Sequence, residues 1–220
     1  MVLAAAACAA GIALGSWQAG RAEEKRALRS QLERAMRAPA IEITSERMNP
    51  KSLVLKRVAA SGRFVDEHTV LLDNKLRHGR PGYEVLTPLR LNGTHVLVNR
   101  GWTPAGRTRE ELPKVPAPVG VVRVEGLALA GLPQALAVGE PQGKVRQNVE
   151  VAAFAKETGL RLLPIVIQQG SPAEDGLARE WPRPDAGVEK HRSYALQWYS
   201  LALLAVALLV VLSIRRVGAH

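Results

Sequence analysis

Two uncharged apolar runs, one at each end of a 220-residue chain, decide what this sequence can fold into. Residues 194–214 carry no charged side chain and consist mostly of Leu, Ala and Val, interrupted only by Gln197, Ser200 and Ser213. A helix rises about 1.5 Å per residue, so this run reaches across the roughly 30 Å hydrocarbon core of a bilayer. Arg215 and Arg216 stop it. The second run, Val2 to Trp17, is short for a span by itself, and Trp17 and Gln18 complete it at the membrane–water interface. It has no basic segment in front and no cleavage signature, so an uncleaved first span is expected, with a natural start upstream of Met1. Cys8 lies inside this run with no Leu three residues before it, which speaks against a lipoprotein.

Two spans leave one long middle. The expected organisation is a first transmembrane helix over residues 1–18, a polar helical extension over 19–40 and a β-rich domain over 41–190. A second transmembrane helix over 191–214 and a tail over 215–220 complete it. The signals for orientation conflict. Arg215 and Arg216 favour the cytoplasm, but so do Arg21, Lys25, Arg26 and Arg29 after the first span. Long loops cross largely regardless of charge, so the short tail carries more weight and the middle domain is expected outside the cytoplasm. Cys8 is the one cysteine, so that domain has no disulfide, no cysteine metal cluster and no Cys-x-x-Cys-His haem attachment. Of the 30 lysines and arginines only Arg215 and Arg216 lie beyond the second span, so most of the net charge of +10 falls between the two. That excess suits a solvated surface facing anionic headgroups, which makes the lipid bilayer an expected partner. Nucleic acid is not expected, because no nucleic-acid-binding motif accompanies the charge.

Residues 21–37 are rich in good helix formers, with Glu24, Leu28, Leu32 and Met36 at helical spacing, and Pro39 ends the pattern. Residues 53–65, 69–76, 83–91 and 94–102 read as strands, followed by strands at 119–130 and 162–168. Arg80-Pro81-Gly82-Tyr83 suits a type II turn, and Asn92-Gly93 signals a hairpin. Val96 and Val98 alternate with Leu97 and Asn99 as in a half-buried strand. Residues 103–120 form a proline-containing loop and 131–146 an irregular segment. Asn148 is the expected cap of a short helix over 149–158, closed by Gly159. Residues 171–190 read as a polar linker containing Trp181-Pro182-Arg183-Pro184. The expected fold class is a membrane α-helical hairpin of two transmembrane helices carrying a β-rich α+β extracytoplasmic domain, a compact sheet or partly closed barrel.

Chemistry concentrates at the membrane mouth. On a helix starting near Glu189, His191, Tyr194 and Trp198 share a face. One imidazole nitrogen can take a haem iron while the aromatics cover a porphyrin. An interfacial anchor of Trp, Tyr and basic residues fits the same composition. Trp17, Gln18 and Arg21 stand at the matching end of the first run. Paired helices would bring Trp17 level with Trp198, Gln18 near Gln197, and Arg21 with Arg192 toward anionic propionates. An aromatic belt with snorkelling arginines is the reading composition favours there. Asn99-Arg100-Gly101-Trp102 ends a strand. Gly101 permits a bulge that would expose Arg100 and Trp102 for a partner, against a buried Trp filling the sheet edge. Asp73-Asn74 would tie a turn or meet a partner. His68, His78 and His95 have no spacing that forces a shared metal.

The ordered set of segments resembles the surfeit locus protein 1 family of cytochrome c oxidase assembly factors. It comprises Leu14-Gly15-Ser16-Trp17-Gln18 with Arg21 and Lys25, Gly62-Arg63-Phe64 and Leu71-Leu72-Asp73-Asn74. Gly79-Arg80-Pro81-Gly82-Tyr83, Leu86-Thr87-Pro88-Leu89, Val98-Asn99-Arg100-Gly101-Trp102, and His191 with Tyr194-Ala195-Leu196-Gln197-Trp198-Tyr199 complete it. The likeness covers both runs and the first half of the domain and is weak over residues 103–190. The first run lacks the cytoplasmic lead-in expected of that family.

The resemblance implies a two-pass protein of the bacterial inner membrane with its domain in the periplasm, and no enzymatic turnover of its own. It implies a role in supplying or inserting haem a, carried as transient cargo, into the catalytic subunit of a haem–copper oxidase. Haem a synthase is a further implied partner, and the family's haem-associated histidine falls on His191. Two other readings stay open: a haem-free scaffold that stabilises an oxidase assembly intermediate, and a membrane-anchored enzyme using His68, His78 or His95 with Asp73.

Overall fold

The structure is a computed structural model that describes residues 2–44, 48–108, 111–134, 143–181 and 187–217. The proline pair of Trp181-Pro182-Arg183-Pro184 and residues 135–142 of the irregular segment lie outside the described residues, as do the side chains of Arg215 and Arg216. The chain forms two compact units, Arg34–Trp181 and Met1–Glu33 with Pro182–His220.

The unit Arg34–Trp181 is built on eight strands: β1 (Ile41–Glu42), β2 (Arg57–Phe64), β3 (Val70–Leu72), β4 (Gly82–Arg90), β5 (His95–Pro104), β6 (Val122–Leu129), β7 (Val145–Arg146) and β8 (Leu162–Gln169). The order β2-β6-β8-β5-β4 is closed by a further pairing of Arg63 and Phe64 in β2 with Arg90 and Leu89 in β4. The result is a five-stranded barrel with four antiparallel seams and one parallel seam, β5 with β8. β1 extends β2, and β3 with β7 extends β4.

Side-chain alternation fills three buried clusters from one set of strands, the smallest being Leu71, Tyr83 and Val85 with Leu177. Val96 and Val98 of β5, Leu163, Ile165 and Ile167 of β8, and Leu89 of β4 share the barrel interior with Val58, Ala60 and Val124. Leu97, Val166 and Leu86 point the other way and bury Phe154 and Val151. Those two residues belong to α2 (Val151–Thr158), a short α-helix of this unit, which also has 3-10 turns at Pro50–Leu53 and Asp66–His68. β5 is therefore buried on both faces rather than half-buried: Leu97 and Asn99 are as inaccessible as Val96 and Val98.

Two local expectations need correction. The hairpin before β4 turns at His78-Gly79, where φ is 50° and 75°, and not at Pro81-Gly82. Arg77 and Arg80 exchange backbone hydrogen bonds of 3.0 and 2.9 Å across it, the two-residue arrangement with positive φ at both central positions. Gly82 is instead the first residue of β4, and a Cβ there would lie 2.5 Å from the Trp102 ring. The N-cap of α2 is Glu150, two residues beyond Asn148, and its side chain makes no capping bond; Gly159 closes the helix with φ 69°.

The other unit contains two long helices, α1 (Val2–Arg37, continuous into the Arg34–Trp181 unit) and α3 (Val188–Val217). Both are long and apolar enough to cross a membrane. α1 runs unbroken from the apolar run into the polar extension, and its exposed face there carries the ion pairs Arg21–Glu24 and Arg29–Glu33. Small residues let the two backbones approach. A Cβ on Gly11 would sit 3.0 Å from both Ala202 Cβ and the Trp198 carbonyl oxygen, and one on Gly15 would strike the Tyr199 ring at 2.6 Å. Gly15 and Ala22 are buried on α1, and Ala195 and Ala202 on α3. Ser16 Oγ and Tyr199 Oη are 3.2 Å apart. The contacts run in opposite order along the two helices, which are therefore antiparallel.

Candidate functional site

Gln18 and His191 meet where these helices touch. His191 Nδ1 and Gln18 Oε1 are 2.6 Å apart, and both side chains are half-buried. An amide oxygen only accepts, so Nδ1 carries the proton in this pair, and in a neutral ring the lone pair is then left on Nε2. Nε2 has no partner among the described residues. Trp198, on the same face, is half-buried, Tyr194 is 40% exposed and Trp17 is 56% exposed. The Lys190 ammonium lies 5.9 Å from the Tyr194 ring centroid. The helix register differs from the expected one. Gln18 faces His191 rather than Gln197, and the Trp198 carbonyl faces Gly11, which stands about 9 Å along the axis from Trp17. Trp17 and Trp198 thus do not share a level. Arg21 donates to Glu24 Oε2 at 2.8 Å and Arg192 to Glu189 Oε1 at 3.4 Å, each to a carboxylate one turn away on its own helix.

Within the barrel unit, Asn99-Arg100-Gly101-Trp102 is a buried hub. The β4–β5 register shifts so that Val85 pairs with Gly101 and Leu86 with Asn99. Arg100 is the extra residue of the bulge. Gly101 has φ 147°, and a Cβ there would lie 2.8 Å from Leu177. The bulge is present, but the exposure expected from it is not: Arg100 is 0% and Trp102 9% exposed. The Arg100 guanidinium donates to Asp175 Oδ2 at 3.2 Å and to the carbonyls of Pro116 and Val115 at 3.0 and 3.4 Å. Its carbon sits 5.2 Å from the Phe64 ring centroid. Burial pushes the Arg100 pKa down, and Asp175 opposes that shift. Arg179 grips the same carboxylate with bonds of 2.7 and 2.6 Å.

The neighbours of Arg100 are held as firmly. Asn99 Nδ2 donates to Glu84, which also pairs with Arg77, and Trp102 Nε1 donates to the Lys75 carbonyl at 2.7 Å. Asn74 is in the left-handed region at φ 60°, and its backbone amide donates to Asp73 Oδ1 at 2.6 Å. Asp175, Arg179 and Glu84 were not legible as site residues. Asp175 sits in a stretch that reads as linker, 75 residues from Arg100, with no local signal to mark it.

The family model of the SURF1 family matches residues 5–203. This chain belongs to the SURF1 family. It is similar to a SURF1-like protein of Monosiga brevicollis, 26% identical over 223 residues that cover 94% of this chain and 84% of the relative. It is also similar to Surfeit locus protein 1 of Xenopus tropicalis, 24% identical over 228 residues, covering 93% of this chain and 73% of the relative. A SURF1-like protein of Rickettsia felis is 29% identical over 94 residues, 41% of this chain and 40% of that one.

Both the Gln18–His191 pair and the Arg100 hub lie inside the SURF1 match. His68, His78 and His95 lie in the Arg34–Trp181 unit. His68 borders a pocket of about 380 Å3 lined also by Lys144, Arg146 and Glu157. His78 is exposed beside Glu180 at 3.5 Å. Burial lowers the His95 pKa from its ordinary value, with the Arg161 backbone opposing and the Arg90, Arg161 and His68 charges adding to the fall. Among the described residues no three His, Cys, Asp or Glu side chains stand close enough to hold a metal ion.

Proposed function

We propose that this SURF1 family member is a two-pass inner-membrane assembly factor for a haem–copper terminal oxidase, holding haem a at His191 on its way to the catalytic subunit. The observation that supports haem binding is the setting of the His191 ring: Nδ1 is engaged by Gln18, and Nε2 has no partner among the described residues. That is the donor a haem iron accepts, and the exposed faces of Trp17 and Tyr194 are available to a porphyrin. Haem a, when bound as cargo, supplies an iron that accepts one imidazole nitrogen. One histidine suits cargo better than two, because a ligand that must later let go has to bind weakly.

Arg21 and Arg192 suit the propionates by charge. Each is held by an exposed carboxylate, Glu24 or Glu189, and pairs of that kind are worth little and exchange readily. With α1 and α3 as spans, the Arg34–Trp181 unit is assigned to the periplasm, where the catalytic subunit and haem a synthase are its partners. Asp73 and Asn74 remain candidates for partner contact through their half-buried and exposed side chains. Arg100 and Trp102 act on such contacts only through the surface they support.

The test is haem a occupancy of the oxidase in cells lacking this chain, complemented with wild type or His191→Ala at equal membrane levels. Restoration by wild type and not by the variant is expected. Full restoration by His191→Ala would overturn haem carriage in favour of a haem-free scaffold.

A further inference from the structure

Gln18 is the residue whose placement needs an explanation of its own. It lies between the buried positions Gly15 and Ala22 on the face of α1 turned to α3, inside a seam of small residues. A polar amide there is costly unless it is bonded. Its bond goes to one atom, His191 Nδ1, at 2.6 Å.

We propose that Gln18 is a positioning residue for His191. Its amide oxygen accepts a hydrogen bond from Nδ1–H, which favours the neutral tautomer with Nε2 unprotonated and fixes the plane of the ring. Resting on the haem-carrier reading, Gln18 presents Nε2 to the iron and sets how tightly the iron is held. The choice of amide over carboxylate matters. A carboxylate on Nδ1–H draws the proton toward itself, makes the imidazole more electron-rich and strengthens metal ligation. A neutral amide orients the ring with less of that push, and it buries no charge at the membrane boundary. Gln18 thus gives an oriented but weak ligand, which is what a delivering protein requires. The geometry also explains why Gly11 and Gly15 precede it: a larger residue at either would hold the helices apart and break the bond.

The experiment uses the full chain in detergent, with 15N-labelled histidine and no haem. The His191 signals are assigned by their loss in His191→Ala. Wild type is expected to show a protonated Nδ1 and a bare Nε2. Gln18→Leu should lose that preference and Gln18→Glu should keep it, with circular dichroism checking that all three fold alike. A dominant Nε2–H form in wild type, or an unchanged tautomer in a folded Gln18→Leu protein, would overturn the proposal.

Haem a titration then separates the two claims. Gln18→Leu is expected to weaken binding by about 10–100-fold, the usual cost of removing an outer partner of a ligand. Gln18→Glu is expected to slow release to a haem-scavenging apoprotein, and release as fast as wild type would overturn the amide argument. If wild type binds no haem a, the carrier reading fails, while the tautomer result still decides the role of Gln18.

Discussion

Arg100 is a cation sealed from water, and its worth lies in what it ties together. The guanidinium joins the bulge of β5 to the carbonyls of Val115 and Pro116 and to Asp175. Replacing it with alanine removes donors from three acceptors and leaves Asp175, 4% exposed, to Arg179 and the Leu177 backbone N–H. Breaking a buried ion pair on one side costs about 3–5 kcal/mol. Arg179 retains the carboxylate, so Arg100→Ala is expected at the low end, about 3 kcal/mol, or about 6–12 °C in the melting temperature of the full chain in detergent. An unchanged melting temperature together with weakened capture of the oxidase subunit would instead assign Arg100 to a partner surface.

The sequence suggested the opposite environment for this residue, for a physical reason. A strand-end Arg beside Gly looks exposed unless its counter-ion is known, and Asp175 lies in a polar stretch that gives no local cue. His191 stands out in the sequence through local neighbours, Tyr194 and Trp198 at helical spacing beside an apolar run. Its pairing with Gln18 spans 173 positions and depends on helix register, which sequence alone did not determine.

At the scale of elements, α1 and α3 are legible from length and apolarity, and their seam is not. The seam depends on single missing methyl groups. An added side chain at Gly11 meets the Trp198 carbonyl, a backbone atom that cannot swing aside, whereas at Gly20 it meets nothing within 4 Å. Gly11→Leu is therefore expected to force the helices apart, part Gln18 from His191 and lose most of the haem a absorption, while Gly20→Leu keeps it. Equal absorption in both, at equal protein, would show that the seam does not build the site.

Six of the eight strands were legible within a few residues because period-two patterning and turn residues mark them locally, whereas β1 and β7, two residues each, are too short to carry a pattern. β3 came out shorter than residues 69–76, and the turn before β4 moved to His78-Gly79. Gly82 was needed for the Trp102 ring instead, a contact between residues 20 positions apart that turn preferences do not encode.

On the scale of the whole molecule, hairpin pairing such as β4 with β5 follows from adjacency, but the closure of the barrel does not. β2 with β6 and β5 with β8 join strands separated by about 60 residues, and β2 with β4 seals the ring by two residue pairs. A β-rich domain between two apolar helices could be read from the sequence; which strands are neighbours could not. The residues that carry the family likeness, dispersed along the chain, converge in two places. Phe64, Gly82, Arg100 and Trp102 build the barrel hub, and Gly15, Gln18 and His191 build the helix seam. The hub ties the β5 bulge to Asp175, and the seam holds the imidazole.

Whether that imidazole binds haem is decided by one measurement: the visible spectrum of the detergent-purified full chain, co-expressed with the haem a synthesis enzymes, for wild type and His191→Ala. A haem a band in wild type that disappears in the folded variant is the expected result. A wild-type protein without the band, or a variant that keeps it undiminished, would contradict ligation by His191.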